Sequence, residues 1–316
     1  MIRRPPRSTL SSSSAASDVY KRQAIFNPVD SNRNQKLRRS SRYLNWWSGG
    51  AIILAALAVM PVAAVLVFAL GDSGDIWAHL VKTSLFGYVR TTLWLMLGVG
   101  VMVFVTGVST AWVVTMCRFP GRKVFELLLL LPLAMPAYVI AYAYTDFLEF
   151  AGPVQGLLRT IFGWQSARDY FFPEIRSLGG AIIMMGLVLY PYVYLLARSA
   201  FLEQSVNVLE ASRTLGRGPW RTFSAVSLPA ARPAIVVGVS LALMETLNDY
   251  GTVDFFAVYT MTAGLVDVWL GMGSLAGGAQ IATTMLVFVV LLIMLERMSR
   301  RHQKLYPQES SRYKPW

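Results

Sequence analysis

Long, nearly uncharged apolar runs recur along the 316 residues, and each is about the length of a membrane crossing. A helix must keep about 20 mostly apolar residues in register to traverse roughly 30 Å of hydrocarbon, because every backbone N–H and C=O there has to find its partner inside the chain. Six stretches qualify: 49–70, 91–116, 125–147, 178–197, 233–253 and 278–296. Composition agrees, with 55% of residues hydrophobic, 15% charged and a mean hydropathy of +0.48, a balance that a soluble domain of this length does not keep in water. The expectation is an all-α integral membrane protein with six transmembrane helices.

A net charge of +12 and a pI near 10.0 also suit a nucleic-acid binder, so the distribution of charge has to decide. With a cytoplasmic N-terminus, the inner segments hold nineteen Lys and Arg residues. They are Arg33, Lys36, Arg38, Arg39 and Arg42; Arg118, Arg122 and Lys123; Arg198, Arg213, Arg217, Arg221 and Arg232; and Arg297, Arg300, Arg301, Lys304, Arg312 and Lys314. The outer segments hold five, Lys82, Arg90, Arg159, Arg168 and Arg176. Cytoplasmic loops carry the excess of positive charge, so both termini are expected inside, with no nucleic-acid partner. The single Cys117 excludes an internal disulfide and reads as a small buried apolar residue. His79 and His302 fall on opposite expected sides, so no metal cluster can be built from them.

Four segments follow from these runs. Residues 1–23 have neither the apolar centre of a signal peptide nor a helical period, and the string resembles translated sequencing-adapter sequence. The native chain is expected to resume near Ala24. Residues 24–48 read as a cytoplasmic tail anchored by its basic run and by Trp46 and Trp47 at the interface. The transmembrane domain spans 49–298, and 299–316 reads as a truncated cytoplasmic tail.

Between the fourth and fifth spans, residues 198–232 are too polar to insert and too regular for a linker. Residues 203–215 lack Gly and Pro and read as a helix. Gly216 is placed to close it in the left-handed conformation, and Pro219 suits the first position of a second short helix, from Trp220 towards Ser227. Pro229 and Pro233 are expected to punctuate the start of the fifth span.

This stretch resembles the permease subunits of bacterial ABC importers, whose cytoplasmic loop reads Glu-Ala-Ala, three residues, Gly, nine residues, Ile, any residue, Leu-Pro. Here Glu210-Ala211-Ser212 is followed by Gly216 and then by Val226, Ser227, Leu228 and Pro229, at matching spacing throughout. Ser212 and Val226 are the two departures, and both keep size or apolar character. The resemblance implies a bacterial inner membrane, the type I importer architecture and a coupling helix that docks in a groove of a separate ATPase subunit. Arg213, Arg217 and Arg221 would supply charge there, and Leu209, Leu215 and Trp220 apolar anchors. An amphipathic helix on lipid headgroups explains the arginines but not the Gly-Pro turn. Neither Gly216-Arg217-Gly218 nor the glycines at 271–278 are followed by Lys-Ser/Thr, so no phosphate loop is present. The chain is therefore expected to be no enzyme and to bind no cofactor, with ATP and Mg²⁺ held by the partner.

Ionisable residues inside spans are costly and are functional candidates by default. Glu245 lies eleven residues after Ala234, about 17 Å along a helix and near mid-bilayer. Asn248 and Asp249 follow at i+3 and i+4 on the same expected face, and Gly251 and Asp254 extend the polar run. The face either lines a cation path or is a structural pairing with an Arg of another helix or subunit. Tyr138, Tyr142 and Tyr144, with Tyr190, Tyr192 and Tyr194, read as interfacial belts or helix contacts rather than metal ligands. Pro132, Pro136 and Pro191 are expected to kink the third and fourth helices.

Residues 178–198 and 245–254 resemble ferric-iron permeases most closely, and the resemblance covers most of 45–298. It implies a periplasmic binding protein that delivers Fe(III), and two homologous permease halves of which this chain is either the first or a complete homodimeric half. Thiamine, sulfate, molybdate, polyamine and phosphonate permeases are near alternatives. A proton- or sodium-coupled secondary transporter with Glu245 and Asp249 as its ion site is the rival from another class.

Overall fold

The structure, a computed structural model, describes residues 46–300. The expectations for 1–23, for the basic run up to Arg42, for His302 and for the tail beyond Arg300 lie outside the described residues. Those residues are helical, with no strand among them: α1 (Trp46–Ala69), α2 (Asp75–Thr83), α3 (Leu85–Met116), α4 (Arg122–Leu128), α5 (Ala137–Leu148), α6 (Pro153–Phe162), α7 (Leu178–Leu202), α8 (Val206–Thr214), α9 (Pro219–Thr222), α10 (Leu228–Asn248), α11 (Gly251–Phe255), α12 (Met261–Val266) and α13 (Leu275–Arg300). Among the described residues five helices are long and apolar enough to cross a membrane, or six where the bent pair Arg122–Ala134 and Ala137–Phe162 counts as one span.

The chain divides into two units, one reaching Ala63 and one beginning at Ala64. The first contains most of α1, a helix apolar on every face with no buried residue. A helix of that kind is solvated by lipid or by other apolar helices rather than by water.

The second unit is built on α3, α7 and α10, whose buried faces meet in one core. It includes Val99, Val103 and Ala111 of α3, Met185, Val193 and Ala197 of α7, and Ile235 and Ala242 of α10. Lipid provides no hydrophobic drive between helices, so close backbone approach has to supply the attraction. Gly107 and Gly238 allow it, both against the Pro191 turn of α7. A Cβ at Gly107 would stand 2.7 Å from Val193 Cβ and 2.9 Å from Tyr190 O, and one at Gly238 would stand 2.8 Å from Val193 Cα. A second core joins α2, α3, α12 and α13 through Leu80, Met96, Met261, Ile281 and Met285. There Thr92 Oγ1 accepts the Met261 N–H at 3.0 Å, pinning α12 to α3.

The third predicted span, 125–147, is not one helix. Residues Arg122–Ala134 and Ala137–Phe162 meet at 100°. Pro132 starts a 3-10 turn at Leu131–Ala134, and Met135, the residue before Pro136, is extended at φ −120°, ψ 139°. Proline ring sterics disfavour the helical region for the residue before it, so the expected kink becomes a full break.

The fifth predicted span begins earlier than its prolines suggest. Pro219 to Asn248 runs as one long helical stretch, with a π turn at Phe223–Ser227 that Leu228 N–H closes on Phe223 O. A wide turn separates residue 229 from the carbonyl that its ring would otherwise meet, so Pro229 no longer ends the helix. Beyond α5, the segment 149–176 is held by the Arg176–Glu149 ion pair at 2.8 Å and by Arg159, whose guanidinium lies 4.0 Å from the Phe150 ring centre. Trp164 stacks between Phe162 and Tyr170 in the same segment, at 4.7 and 4.6 Å.

Candidate functional site

The 203–229 stretch folds as a helical hairpin. One arm is α8 and the other is α9 running through the π turn into α10. Gly216 takes φ +80° and closes α8 as expected: Arg217 N–H reaches Ser212 O at 3.2 Å and Gly216 N–H reaches Arg213 O at 2.9 Å. These two bonds satisfy carbonyls that the last turn leaves open, and they require a residue that tolerates the left-handed region. Gly218 caps the return arm in extended geometry, with Pro219 at its first helical position.

Inside the hairpin, Ser212 Oγ and Thr222 Oγ1 lie 3.2 Å apart and both residues are buried. Gln204 Nε2 donates to Ser227 O at 2.8 Å, tying the base of the outgoing arm to the π turn. Phe223 packs against Trp112 of α3 and Phe201 of α7, with ring centres 4.7 and 6.4 Å away. The hairpin thus packs on two core helices through Phe223 and continues into α10.

The outer face shows what is left for a partner. Leu215 and Trp220 are 80% and 78% exposed, and Glu210, Ala211, Arg213, Arg217 and Arg221 are exposed beside them. Leu209 differs from its expected role as an anchor. It is buried in its own chain because it lies three residues before Ser212, on the inward face of α8. Ser212 itself is likewise turned inward and holds the arms together. Leu228 packs against the core, while Pro229 is exposed. Thr222, Gln204, Phe201, Trp112 and Phe223 were not singled out by sequence reasoning. The 3.6-residue period that places Ser212 with Leu209 was the available signal for the lock.

The acidic run at the far end of α10 is not one continuous face. The helix ends at Asn248, and Asp249 leaves the helical region at ψ 121°. Its carboxylate accepts from Thr252 N–H at 2.7 Å and from Thr252 Oγ1–H at 2.9 Å, so it caps α11. Capping a new helix competes with continuing the old one, which the i+4 spacing did not reveal. Glu245 and Asn248 remain on α10, and both are exposed, as is Asp254. Among the described residues no group of three or more His, Cys, Asp or Glu side chains could hold a metal ion. Cys117, expected to be buried, is exposed instead, because the helix ends at Met116 and Cys117 turns into extended geometry beyond it.

Comparison with known proteins adds the following. The family model described as "Binding-protein-dependent transport system inner membrane component" matches residues 103–302. The molybdenum transport system permease protein ModB of Escherichia coli is 31% identical over 145 residues, 46% of this chain and 60% of that protein, so the match spans less than two thirds of that relative. The sulfate transport system permease protein CysT of Escherichia coli is 26% identical over 211 residues, 66% of this chain and 73% of that protein. A crystal structure of a bacterial ABC transporter involved in the import of the acidic polysaccharide alginate superposes with TM-score 0.65 at 16% identity, over 85% of this chain and all of the matched one, a likeness of fold.

Proposed function

Because the chain belongs to the inner-membrane component family of binding-protein-dependent transport systems, we propose that it forms one half of the membrane pathway of an ATP-driven importer. The observation that carries this reading is the hairpin. It packs on α3 and α7 through Phe223 and continues into α10, yet Leu215 and Trp220 at its tip stay largely exposed, Trp220 meeting only the edge of Phe223 among the described rings. An exposed apolar pair with a charged rim suits a groove in another protein. In this mechanism a loaded binding protein docks on the outer side and two ATPase subunits close on the cytoplasmic side. Glu210, Ala211, Arg213, Leu215, Gly216 and Trp220 then receive the motion, and Ser212, Leu228 and Pro229 transmit it. Both termini lie inside, and a second permease half or a second copy completes the path.

Glu245 and Asn248 line that path in this reading, supported by their exposure on α10. A carboxylate exposed on a membrane helix is costly against lipid, so its open side suits the other half or an aqueous lumen. Asp254 sits at the outer end of the same region, and Asp249 shapes the α10 to α11 corner.

The cargo reading is ferric iron, supported by the resemblance of 178–198 and 245–254 to ferric-iron permeases. Molybdate or sulfate is the second reading, favoured by the named relatives. Affinity co-purification from the native membrane tests the core proposal: an ATPase subunit should be recovered with the chain and lost with Gly216→Pro or Glu210→Arg. Gradient-driven uptake by the chain alone, with no ATPase recovered, would overturn it in favour of an ion-coupled carrier. Uptake of labelled iron, molybdate and sulfate by the assembled system separates the cargoes.

A further inference from the structure

A cleft of about 270 Å³ opens between α4 and the last turns of α7, with Lys123, Glu126, Tyr194 and Arg198 on its walls. Glu126 is shared by two guanidiniums, Arg122 Nε at 3.3 Å and Arg198 Nη2 at 3.1 Å. Lys123 is exposed and forms no ion pair among the described residues. Three cations against one carboxylate leave the cleft positively charged.

Tyr194 supplies an independent observation. It is 1% exposed, and its hydroxyl has no hydrogen-bond partner among the described residues. Tyr190, one turn earlier on the same helix, donates to Leu129 O at 2.9 Å, so the local fold does satisfy phenols when it has an acceptor to offer. Buried polar groups are paired with few exceptions, and an unused donor beside surplus positive charge calls for an anion rich in acceptor oxygens. Arg and Lys around one anion are the usual chemistry for phosphate. Arg198 lies near the end of a long apolar helix, the depth at which headgroup phosphates sit.

We infer that this cleft binds a phosphate-bearing anion, from an anionic phospholipid headgroup or from free phosphate in solution. The site stands at the root of the hairpin, because Arg198 is one turn from Phe201, which packs on Phe223. A bound phosphate shares the guanidinium of Arg198 with Glu126 and stiffens the joint between α4, α7 and the return arm. The inference needs membrane insertion but not the importer reading, and a binding measurement separates the two.

The test uses the full chain purified in mild detergent, and native mass spectrometry counts lipids retained from an equal mixture of phosphatidylglycerol and phosphatidylcholine. A parallel arm follows protection against thermal unfolding on titration with inorganic phosphate. Preferential retention of phosphatidylglycerol, reduced about tenfold in Arg198→Gln by loss of a charge-assisted bond, is expected for a lipid source. Saturable protection by inorganic phosphate, lost in the same variant, is expected for a soluble source. Arg198→Gln leaves Glu126 with one partner, so Lys123→Gln and Tyr194→Phe serve as variants that keep the ion pairs, and both should weaken binding. Equal retention of the two lipids without protection by phosphate overturns the inference. So does binding unchanged in all three variants.

Discussion

Ser212 and Thr222 show how two hydroxyls set the geometry of a surface element. Replacing Ser212 with Val leaves the buried Thr222 hydroxyl unpaired, at a cost of about 1–3 kcal/mol. The expected outcome is a lower melting temperature and weaker recovery of the ATPase partner, with Ser212→Thr far milder; equal melting of the Val variant and the native chain would argue against the lock. Asp169 acts on a different segment. Its carboxylate accepts Gln165 N–H at 2.9 Å and Ser166 N–H at 2.8 Å, and these bonds hold its pKa below the ordinary carboxylate value. A depressed pKa means that the stabilisation of this turn is fully present above the unfolded value and lost as pH falls through the folded one. Amide exchange at Gln165 and Ser166 should therefore rise on acidification, and Asp169→Asn should raise it at neutral pH. Flat exchange across that range would exclude this role.

Glycine is used for two different reasons in the helices. At Gly216 no atom lies within 4 Å of an added Cβ, but φ is +80°, so Gly216→Ala pays only for the left-handed backbone, about 1–2 kcal/mol. At Gly238 the backbone is helical and the neighbour is the constraint. An added methyl meets Val193 Cα at 2.8 Å and forces α10 away from α7, at a cost of about 1–3 kcal/mol. Gly216→Ala is expected to weaken partner coupling with a modest loss of stability, and Gly238→Ala to lower the melting temperature of the whole bundle. Detergent melting curves of the two variants, read beside co-purification, distinguish them. The period of 3.6 and the Gly-Pro punctuation located the turn and both arms, but the first helix is Val206–Thr214 rather than 203–215, and the return arm does not stop near Ser227 but runs on to Asn248. They did not give the π turn, because Pro229 marks where regular helical bonding is disturbed without saying whether the chain breaks or widens one turn.

On the scale of the molecule, rigidity and exposure are divided between root and tip. Trp112, Phe201 and Phe223 fix the root, and Leu215 with Trp220 marks the tip. Leu215→Ala with Trp220→Ala should abolish recovery of the ATPase while lowering the melting temperature only slightly, since both side chains are largely exposed and Trp220 touches the core only through the edge of Phe223; retained recovery would remove the tip from the interface. The apolar run lengths set the number and rough position of the crossings, since backbone hydrogen bonds cannot be left open in hydrocarbon. Motif spacing located the hairpin for the same local reason, because its turn is closed by backbone bonds between residues five apart at most, Arg217 N–H to Ser212 O being the longest. The 100° break at Pro136, the capping role of Asp249 and the burial of Leu209 could not be read from local rules. Each depends on which of several locally acceptable conformations leaves the side chain a partner. Pairings such as Gln204 with Ser227 or Arg198 with Glu126 join residues 23 to 72 positions apart. Chain-local periodicity carries no information about such distances, so only the packing of α3, α7 and α10 around one core decided them.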